Sequence, residues 1–517
     1  MRKFLLLAAA ATTALIGQAA AQDTPKAGGT LLVGINSDIR SLEPGINRDT
    51  NTDSVIHQMF EGLVAYRSDL TVGPALADSW KVSDDGRTYT FTLREGVKFH
   101  NGAPLTSAEV KWSWDRLSTQ AGWNCKNGFD GTAGAKVEAV ETPDPRTVVY
   151  KLAAPSGTFL KQLAIVQCGV LVSHPASVDD KGAWKTPIGS GPWTLKEWKT
   201  GQAVVLAKFA DYKPSSAPAN GFSGARIVHL DQVQFQIIPD PSAAVAAIKS
   251  AAIDVLPAPN EESLDELKKA GLNVQVSPGL AWDTLLINNR DPLFANPKMR
   301  LALAHALDLK EIAAAGVNGL SDPNPSAIAN ASAYFDKTFL AWPEYDPKKS
   351  AALLKEAGYA NQEVKIQTNQ RYPTMYRNAV VIQAMLAAAG FNARIEVLEW
   401  ATQLNNYLKR SFQLQSFAFS PRTDPALSYG TILADMEKFG WAQWDDPKAL
   451  ALHKESLDTA DETRRRQIFA ELHGLMKAQV PTIGLYFEPT AAASQQKVKG
   501  WQTWPVDRPI TWGVWKQ

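Results

Sequence analysis

The side chains that could carry out chemistry are scattered along the chain and do not form a catalytic motif. Lys199-Thr200-Gly201 matches the K-T-G element of serine β-lactamases, but Ser494, which starts the plausible S-x-x-K, follows it in the wrong order. Ser190 lies between two glycines without the G-x-S-x-G frame that exposes a nucleophile. We interpret both as chance matches, and the sequence favours a protein that is not an enzyme.

The seven histidines do not have the spacing of a metal site. No two of them stand four residues apart, and no H-E-x-x-H occurs. They are His57, His100, His174, His229, His305, His453 and His473. We therefore expect no metal and no cofactor.

Strand and helix signals alternate along the chain, which predicts α/β lobes. Residues 80–93 alternate apolar residues with threonines after the turn Asp84-Asp85-Gly86, which is typical of a hairpin. Residues 51–65 have the apolar spacing of a helix. Asp346-Pro347 and Asp446-Pro447 each predict the start of a helix, because an aspartate caps the helix and proline suits its first position.

The composition is that of an ordinary globular protein of 517 residues, long enough for two to four structural units. Lys plus Arg number 53 and Asp plus Glu number 52, so the net charge is +1. A nearly neutral chain has no electrostatic footprint for nucleic acid or for an anionic membrane surface. We expect neither as a partner.

The N-terminus has the features of a secretory signal peptide. Arg2 and Lys3 precede an apolar run from Phe4 to Ile16, and residues 19–21 are all alanine. The run is too short to cross a bilayer, which needs about 20 apolar residues. We expect residues 1–21 to be removed after Ala21 and the mature protein to be periplasmic.

Two cysteines, Cys125 and Cys168, remain in the mature chain. They could pair in an oxidising compartment, or remain as two unpaired thiols. Both alternatives stay open at this point.

Three stretches resemble the family 5 extracellular solute-binding proteins of ABC importers, the class of the oligopeptide- and dipeptide-binding proteins. The first is residues 42–117, with FEGLVAY at Phe60 and PALADSWKVSDDGRTYTFTLREGVKFHNGAPLTSAEV at Pro74. The second is TPIGSGPWTLKEWKTGQAVVL at Thr186. The third contains INNRDPLFANPKMRLALAHALD at Ile287 and YDPKKSAALLKEAGY at Tyr345. Together they span nearly the whole mature chain.

The resemblance implies an α/β, two-lobed periplasmic-binding-protein-like fold (class II) with an extra subdomain. Lobe I would contain residues 23–66, 187–280 and 488–517, subdomain II residues 67–186, and lobe III residues 281–487. The chain would cross between the lobes near Ser277 to Ala281 and near Tyr486 to Pro489, and both crossings would act as hinges. A monomer of this kind closes on a small solute and delivers it to a membrane permease.

The resemblance also implies where the solute would bind. Peptide-binding relatives hold the ligand's α-amino group with an acid in the loop before an Asp-Pro pair. Here Asp424-Pro425 matches that pair, but Pro421 or Arg422 stands where the acid should be. A guanidinium is a planar fork that suits a carboxylate or a phosphate, so we expect an anionic or carboxylate-bearing ligand rather than a standard free-amino peptide. In the alternative, Arg422 pairs with Asp424 and only shapes the loop.

Further candidates come from the same resemblance. Trp400 matches a cleft tryptophan, although core packing is an equal alternative for it. Arg371 stands near the expected position of the ligand carboxylate. The full set of expected ligand-binding residues is Arg422, Trp400, Asp424, Arg371, Leu404, Leu256, Pro257, Ala258, Tyr486 and Asn36.

The sequence predicts the periplasmic substrate-binding component of an ABC importer that captures a peptide or related carboxylate-bearing solute. The rival hypothesis is an exported hydrolase acting on peptides or sugars. Within the binding class, an opine, an oligosaccharide or a nickel chelate are the alternative ligands.

Overall fold

Three β-sheets organise the chain, and each lies in a different body of the molecule. The computed structural model describes residues 24–120, 122–123, 125–131, 134–167 and 169–517. Within these residues lie a seven-stranded, a five-stranded and a four-stranded sheet, together with two sheets of two strands each. We call the bodies around the three larger sheets lobe I, lobe III and subdomain II, respectively.

The elements are numbered in chain order within the described residues. The strands are β1 Thr30–Ile35, β2 Val64–Tyr66, β3 Val72–Pro74, β4 Ala77–Val82, β5 Thr88–Leu93, β6 Val137–Asp144, β7 Thr147–Leu152, β8 Trp193–Lys199, β9 Ala203–Lys208, β10 Gln232–Ile237, β11 Val255–Pro257, β12 Asn273–Ser277, β13 Trp282–Ile287, β14 Glu363–Thr368, β15 Asn392–Val397, β16 Leu414–Phe419, β17 Thr482–Phe487, β18 Thr490–Ser494, β19 Val498–Lys499 and β20 Trp515–Lys516. The helices are α1 Thr50–Met59, α2 Ser107–Thr119, α3 Phe159–Ala164, α4 Pro241–Lys249, α5 Leu264–Lys269, α6 Pro297–Ala306, α7 Leu309–Gly316, α8 Pro347–Glu356, α9 Pro373–Ala388, α10 Trp400–Lys409, α11 Pro425–Tyr429, α12 Pro447–Asp458 and α13 Glu462–Gln479.

The sheet of lobe I is assembled from three separate parts of the chain. Its order is β12-β18-β11-β1-β10-β9-β8. β1 runs parallel to β10 and β11, whereas β18 runs antiparallel to β11. Leu31, Val33 and Phe235 are fully buried in its core. The parallel arrangement brings the carboxyl ends of β1, β10 and β11 to one edge of the sheet.

Subdomain II contains an antiparallel sheet of order β4-β5-β7-β6. The predicted hairpin is confirmed, with β4 and β5 joined by a turn in which Gly86 has a φ of +67°. A left-handed φ favours glycine, which explains why a glycine occupies this position of the turn. Thr106 and Glu109 form the complete capping box at the start of α2, and this helix packs on the sheet.

Lobe III contains a mixed sheet of order β15-β14-β16-β13-β17. β14 runs parallel to β15 and β16, and β13 runs antiparallel to both of its neighbours. All residues of β13 are buried, as befits a central strand covered on both faces. The predicted helix starts are confirmed, because Asp346 and Asp446 accept hydrogen bonds from the first-turn amides of α8 and α12.

The chain crosses between lobe I and lobe III twice, once between β12 and β13 and once between β17 and β18. The two crossings lie side by side, because the Glu488 amide donates to the Ala281 carbonyl at 2.8 Å. Gly279 permits this approach, since a Cβ at that position would lie 2.0 Å from the Glu488 carbonyl oxygen. The predicted two-lobed α/β fold with two crossings is confirmed.

One predicted helix is too long. α1 ends at Met59, and residues 64–66 form β2, which pairs with β3. Val64, Ala65 and Tyr66 are all buried, and β2 contacts α3 of subdomain II. Tertiary pairing therefore overrides the apolar spacing that indicated a helix.

Some sequence predictions lie outside the described residues. These are the signal peptide at residues 1–21 and Cys168. Cys125 is disulfide-bonded, and its pairing with Cys168 stays a prediction. Each large sheet falls within the segments expected for its body, but the boundaries between the units also stay a prediction. Among the described helices, none combines the length and apolar character that crossing a membrane requires.

Candidate ligand-binding cleft between the lobes

The carboxyl ends of strands from both large sheets face the gap beside the crossings. In lobe I, the residue after β11, Ala258, donates its amide to Ala491 at 2.9 Å, next to the start of β18 at the hinge. In lobe III, Phe419 at the end of β16 pairs with Trp282 at the start of β13. In α/β sheets, ligands bind outside the carboxyl ends of the strands, so this gap is the candidate cleft.

Four of the expected lobe I residues line one cavity of about 230 Å³. They are Asn36, Leu256, Pro257 and Ala258, and they follow or end β1 and β11. The first turns of α1, the residues after β10 and the segment around Asp507 complete the walls. Asn36 is held by its side-chain oxygen, which accepts from the Asn51 amide nitrogen at 2.8 Å.

Aromatic side chains cover part of the facing edge of lobe III. The ring centroids of Tyr372 and Trp400 are 4.9 Å apart, and those of Trp400 and Phe417 are 5.6 Å apart. Phe417 is buried, whereas Tyr372 is 39% exposed. Trp400 therefore has one aromatic neighbour in the core and one at the surface. Its side chain is half-buried. Leu404, one helical turn later, is also half-buried. Whether either touches ligand stays a prediction.

Arg371 and Arg422 lie in the loops that follow β14 and β16, on the same edge of lobe III as Trp400. The Arg371 side chain is exposed and its guanidinium lies 5.8 Å from the centre of the Tyr372 ring. Neither arginine forms an ion pair with any residue that the structure describes. These two cations therefore remain free to meet an anion.

The contacts of Arg422 are made within its own loop. Its Nη1 donates to the carbonyls of Ser420 at 3.0 Å and Pro421 at 3.1 Å. The side chain is half-buried, and burial lowers the pKa of its guanidinium. Arg422 does not pair with Asp424, whose carboxylate is bound by Lys161 and Arg465. The other part of that alternative, a role in shaping the loop, agrees with these contacts.

Asp424 has partners within the protein for both of its carboxylate oxygens, and its expected contact with ligand stays a prediction. Its side chain is fully buried. Arg465 Nη2 donates to both carboxylate oxygens at 2.6 and 2.7 Å, and Lys161 Nζ donates to Oδ2 at 2.7 Å. Oδ1 also caps α11 by accepting from the Ala426 amide at 2.9 Å. Burial acts to raise the pKa of Asp424, but Lys161 and Arg465 together hold it below its ordinary value.

This ion cluster joins subdomain II to lobe III. Lys161 belongs to α3, whereas Asp424 and Arg465 belong to lobe III. The Tyr334 hydroxyl accepts from Lys161 Nζ at 2.6 Å and from Arg465 Nε at 2.8 Å. Beside it, the Tyr66 hydroxyl donates to Thr423 Oγ1 at 2.8 Å. The loop that carries Thr423 and Arg422 is thereby attached to residues outside lobe III.

Tyr486 is buried inside lobe III, and its expected contact with ligand stays a prediction. It is fully buried, and its hydroxyl donates to Asn378 Oδ1 at 3.0 Å. Asn378 in turn donates to Asp283 Oδ1 at 3.0 Å. Burial, with the nearby Glu488 carboxylate, raises the pKa of Asp283 well above its ordinary value. This cluster supports the hinge from inside lobe III.

A second polar contact between the bodies is made by Arg377 of α9. Its guanidinium lies 3.1 Å from the Glu261 carboxylate and 3.4 Å from that of Glu262, both in lobe I. Burial, assisted by Glu488 and Glu262, raises the pKa of Glu261 to about 7 despite the arginine.

No sequence pattern indicated that Lys161, Arg465, Arg377 and Glu261 would form contacts between the bodies, or that Asp507 would line the cavity. The partners in these contacts are between 41 and 263 residues apart in the chain. No local motif marks such pairs, and only the fold brings them together.

Two α/β lobes joined by paired crossings, with a cavity and uncompensated charge along the facing edges, define a two-lobed solute-binding protein. Residues 71–439 match the model of the bacterial extracellular solute-binding proteins, family 5, middle region. This match covers more than half of the chain, and the chain belongs to that family.

Individual relatives agree with this assignment. The chain is 26% identical over 487 residues to the glutathione-binding protein GsiB of Salmonella typhi, and the match covers 92% of each chain. HbpA2 from Haemophilus parasuis has the same fold, with a TM-score of 0.84, 25% identity, and coverage of 95% of this chain and 100% of that one. The substrate-binding protein CtaP of an ABC transporter from Listeria monocytogenes also shares the fold, with a TM-score of 0.81, 23% identity, and coverage of 95% and 100%.

We expect Asp424→Asn to lower the free energy of unfolding by about 3–5 kcal/mol, because Arg465 would lose its buried counter-ion. Asparagine keeps an oxygen for the Ala426 amide, so the cap is retained. Chemical denaturation of the ligand-free protein measures the change. Asp435→Asn, which alters a surface pair with Lys438, is the control and should leave the free energy of unfolding nearly unchanged. Equal losses in both variants would contradict a buried ion cluster at Asp424.

Glu261 should make the stability of the folded protein fall between pH 5 and pH 8. Its folded pKa of about 7 exceeds the ordinary value of 4.5, so the folded protein holds a proton that the unfolded chain releases. That stabilising contribution is complete below about pH 4.5 and is lost as the pH rises through 7.

The measurement is the melting temperature of wild type and Glu261→Gln across this range. The wild type should lose stability relative to the variant as the pH rises. Asp265→Asn, which removes an exposed carboxylate elsewhere in lobe I, is the control and should follow the wild type. Parallel curves for wild type and Glu261→Gln would show that Glu261 does not titrate in this way.

Proposed function

We propose that the protein binds a peptide or a related carboxylate-bearing small solute in the cleft and delivers it, chemically unchanged, to the permease of an ABC importer. The observation that carries this proposal is the half-buried guanidinium of Arg422, which has no carboxylate partner among the described residues. A partly desolvated charge without a counter-ion is unfavourable, and a carboxylate on the solute would relieve that cost.

The position of Arg422 favours contact with a solute. It follows β16, whose end lies beside the hinge strand β13. Arg371 adds a second cation on the same edge, with the aromatic rings of Tyr372 and Trp400 between the loops. Two guanidinium groups and an aromatic surface suit an organic acid or a peptide carboxyl terminus.

The names of the relatives are consistent with this ligand class. Several curated relatives at 26% identity are called glutathione-binding proteins. Glutathione is a tripeptide derivative with two carboxylates and one ammonium group, so it is a suitable first probe for this chain.

Closure would follow from contacts made by the solute to both lobes. A solute shifts the equilibrium toward the closed form only by its differential affinity for that form. The pairs Lys161–Asp424 and Arg377–Glu261 join lobe III to subdomain II and to lobe I, respectively. The permease would then recognise the closed form.

The proposal also covers export, cellular location and oligomeric state. We infer that residues 1–21 direct export and are removed after Ala21, that the mature protein works in the periplasm, and that it acts as a monomer. We also infer binding without turnover, which recovery of intact ligand from the complex by mass spectrometry would test.

Arg422→Gln should weaken glutathione binding by roughly 10- to 100-fold, the range expected when a hydrogen bond to a charged group is lost. Isothermal titration calorimetry at low salt measures the dissociation constant. Arg394→Gln, which alters an exposed arginine of β15 in the same lobe, is the matched control and should bind as the wild type does. Unchanged affinity in Arg422→Gln would remove the basis of the proposal.

A further inference from the structure

The cavity of lobe I contains a single charged residue among those that line it, Asp507. The rest of the lining is largely apolar, with several prolines and the side chains of Ile35, Val245 and Leu256. Asp507 lies in the C-terminal segment, in a backbone conformation with a φ of +53°. A carboxylate in such surroundings is the polar feature that would orient a bound molecule.

The carboxylate of Asp507 accepts no hydrogen bond and forms no ion pair with the residues that the structure describes. Burial raises its pKa, and only the charge of Arg508 acts in the opposite direction. Arg508 is engaged elsewhere, because its Nη1 donates to the backbone carbonyl of Asp507 at 2.8 Å and its Nη2 lies 3.7 Å from Asp53. The Asp507 side chain is therefore left for a partner that the protein does not supply.

The backbone holds Asp507 in place beside the hinge. Its amide donates to the Trp504 carbonyl at 3.0 Å, and the Trp504 indole donates to the Arg508 carbonyl at 2.7 Å. The Trp504 carbonyl also accepts from Thr490 Oγ1 at 3.2 Å, at the start of β18. The turn is thus anchored to one of the two crossings, which suits a group that must meet a ligand in a fixed position.

Three other polar side chains of the cavity, those of Asn36, Asn51 and Ser54, have partners within the protein. Asn51 Nδ2 donates to Asn36 Oδ1 at 2.8 Å and to Ser37 Oγ at 2.7 Å, and the Ser54 hydroxyl donates to the Thr50 carbonyl at 2.8 Å. Among the charged and polar groups of the cavity, the Asp507 carboxylate therefore has the greatest need of a hydrogen-bond donor or a positive charge. A primary ammonium, with three donors and a positive charge, would meet it.

We propose that Asp507 binds an ammonium group of the solute, so that the ligand is a zwitterion whose cationic end lies in lobe I and whose carboxylate lies at Arg422 in lobe III. This inference rests on the proposed function and adds to it the second charge and the orientation of the ligand. The apolar walls beside Asp507 would receive the carbon chain next to the ammonium group.

The test compares glutathione and the dipeptide Met-Leu with their N-acetylated forms, which lack the ammonium group. Calorimetry with wild type, Asp507→Asn and Asp265→Asn gives the dissociation constants. Asparagine tolerates a left-handed φ, so Asp507→Asn should fold, and an unchanged melting temperature verifies this. Asp265→Asn removes an exposed carboxylate of lobe I and is the charge-matched control.

Wild type and Asp265→Asn should bind a free-amino compound roughly tenfold or more tightly than its acetylated form. Asp507→Asn should bind both forms about equally. Retention of the preference in Asp507→Asn, or no preference in the wild type, would overturn this inference and leave the proposed function standing; the carboxylate would then serve only to balance Arg508. If the wild type binds no compound of the panel, the proposed function fails and the inference fails with it.

Discussion

The side-by-side pairing of the two crossing segments is the constraint on which the rest of the structure depends. The Glu488 amide reaches the Ala281 carbonyl only because Gly279 has no side chain to block the approach. This pairing brings one edge of the lobe I sheet and one edge of the lobe III sheet to the same hinge. Residues that are distant in sequence, such as Asp507 of lobe I and Arg422 of lobe III, are thereby carried by the two bodies that meet at this hinge.

The contacts across the gap differ in what opening would cost. Asp424 and Arg465 belong to the same lobe, so their bond persists when the bodies separate, and only Lys161 leaves. Lys161 would gain water as it leaves, which offsets part of the lost attraction. Arg377 and Glu261 are partly exposed already, with side-chain exposures of 30% and 24%, so their separation should cost still less. Lobe III is therefore held to the other two bodies by contacts that a modest change in binding energy can exchange.

The sequence predicted those features that local chemistry determines. The hairpin around Gly86, the caps at Asp346 and Asp446, and the positions of the crossings all depend on neighbouring residues or on a family pattern. The role of Asp424 could not be predicted, because the cations that surround it come from two other elements of the chain. The helix predicted to extend into residues 64–66 was wrong for the same reason, since pairing with β3 decides the conformation of that segment.

Arg422 and Asp507 together would give the cleft a basis for choosing its ligand. They carry opposite charges, each is partly buried, and neither has a counter-ion within the described parts of the chain. A simple anion would satisfy Arg422 but leave the Asp507 carboxylate desolvated, and a simple cation would do the reverse. A solute with both charges at the right separation relieves both costs at once. Selectivity would then arise from the unfavourable energy of the group left unpaired, which rejects half-matching solutes more strongly than attraction alone could.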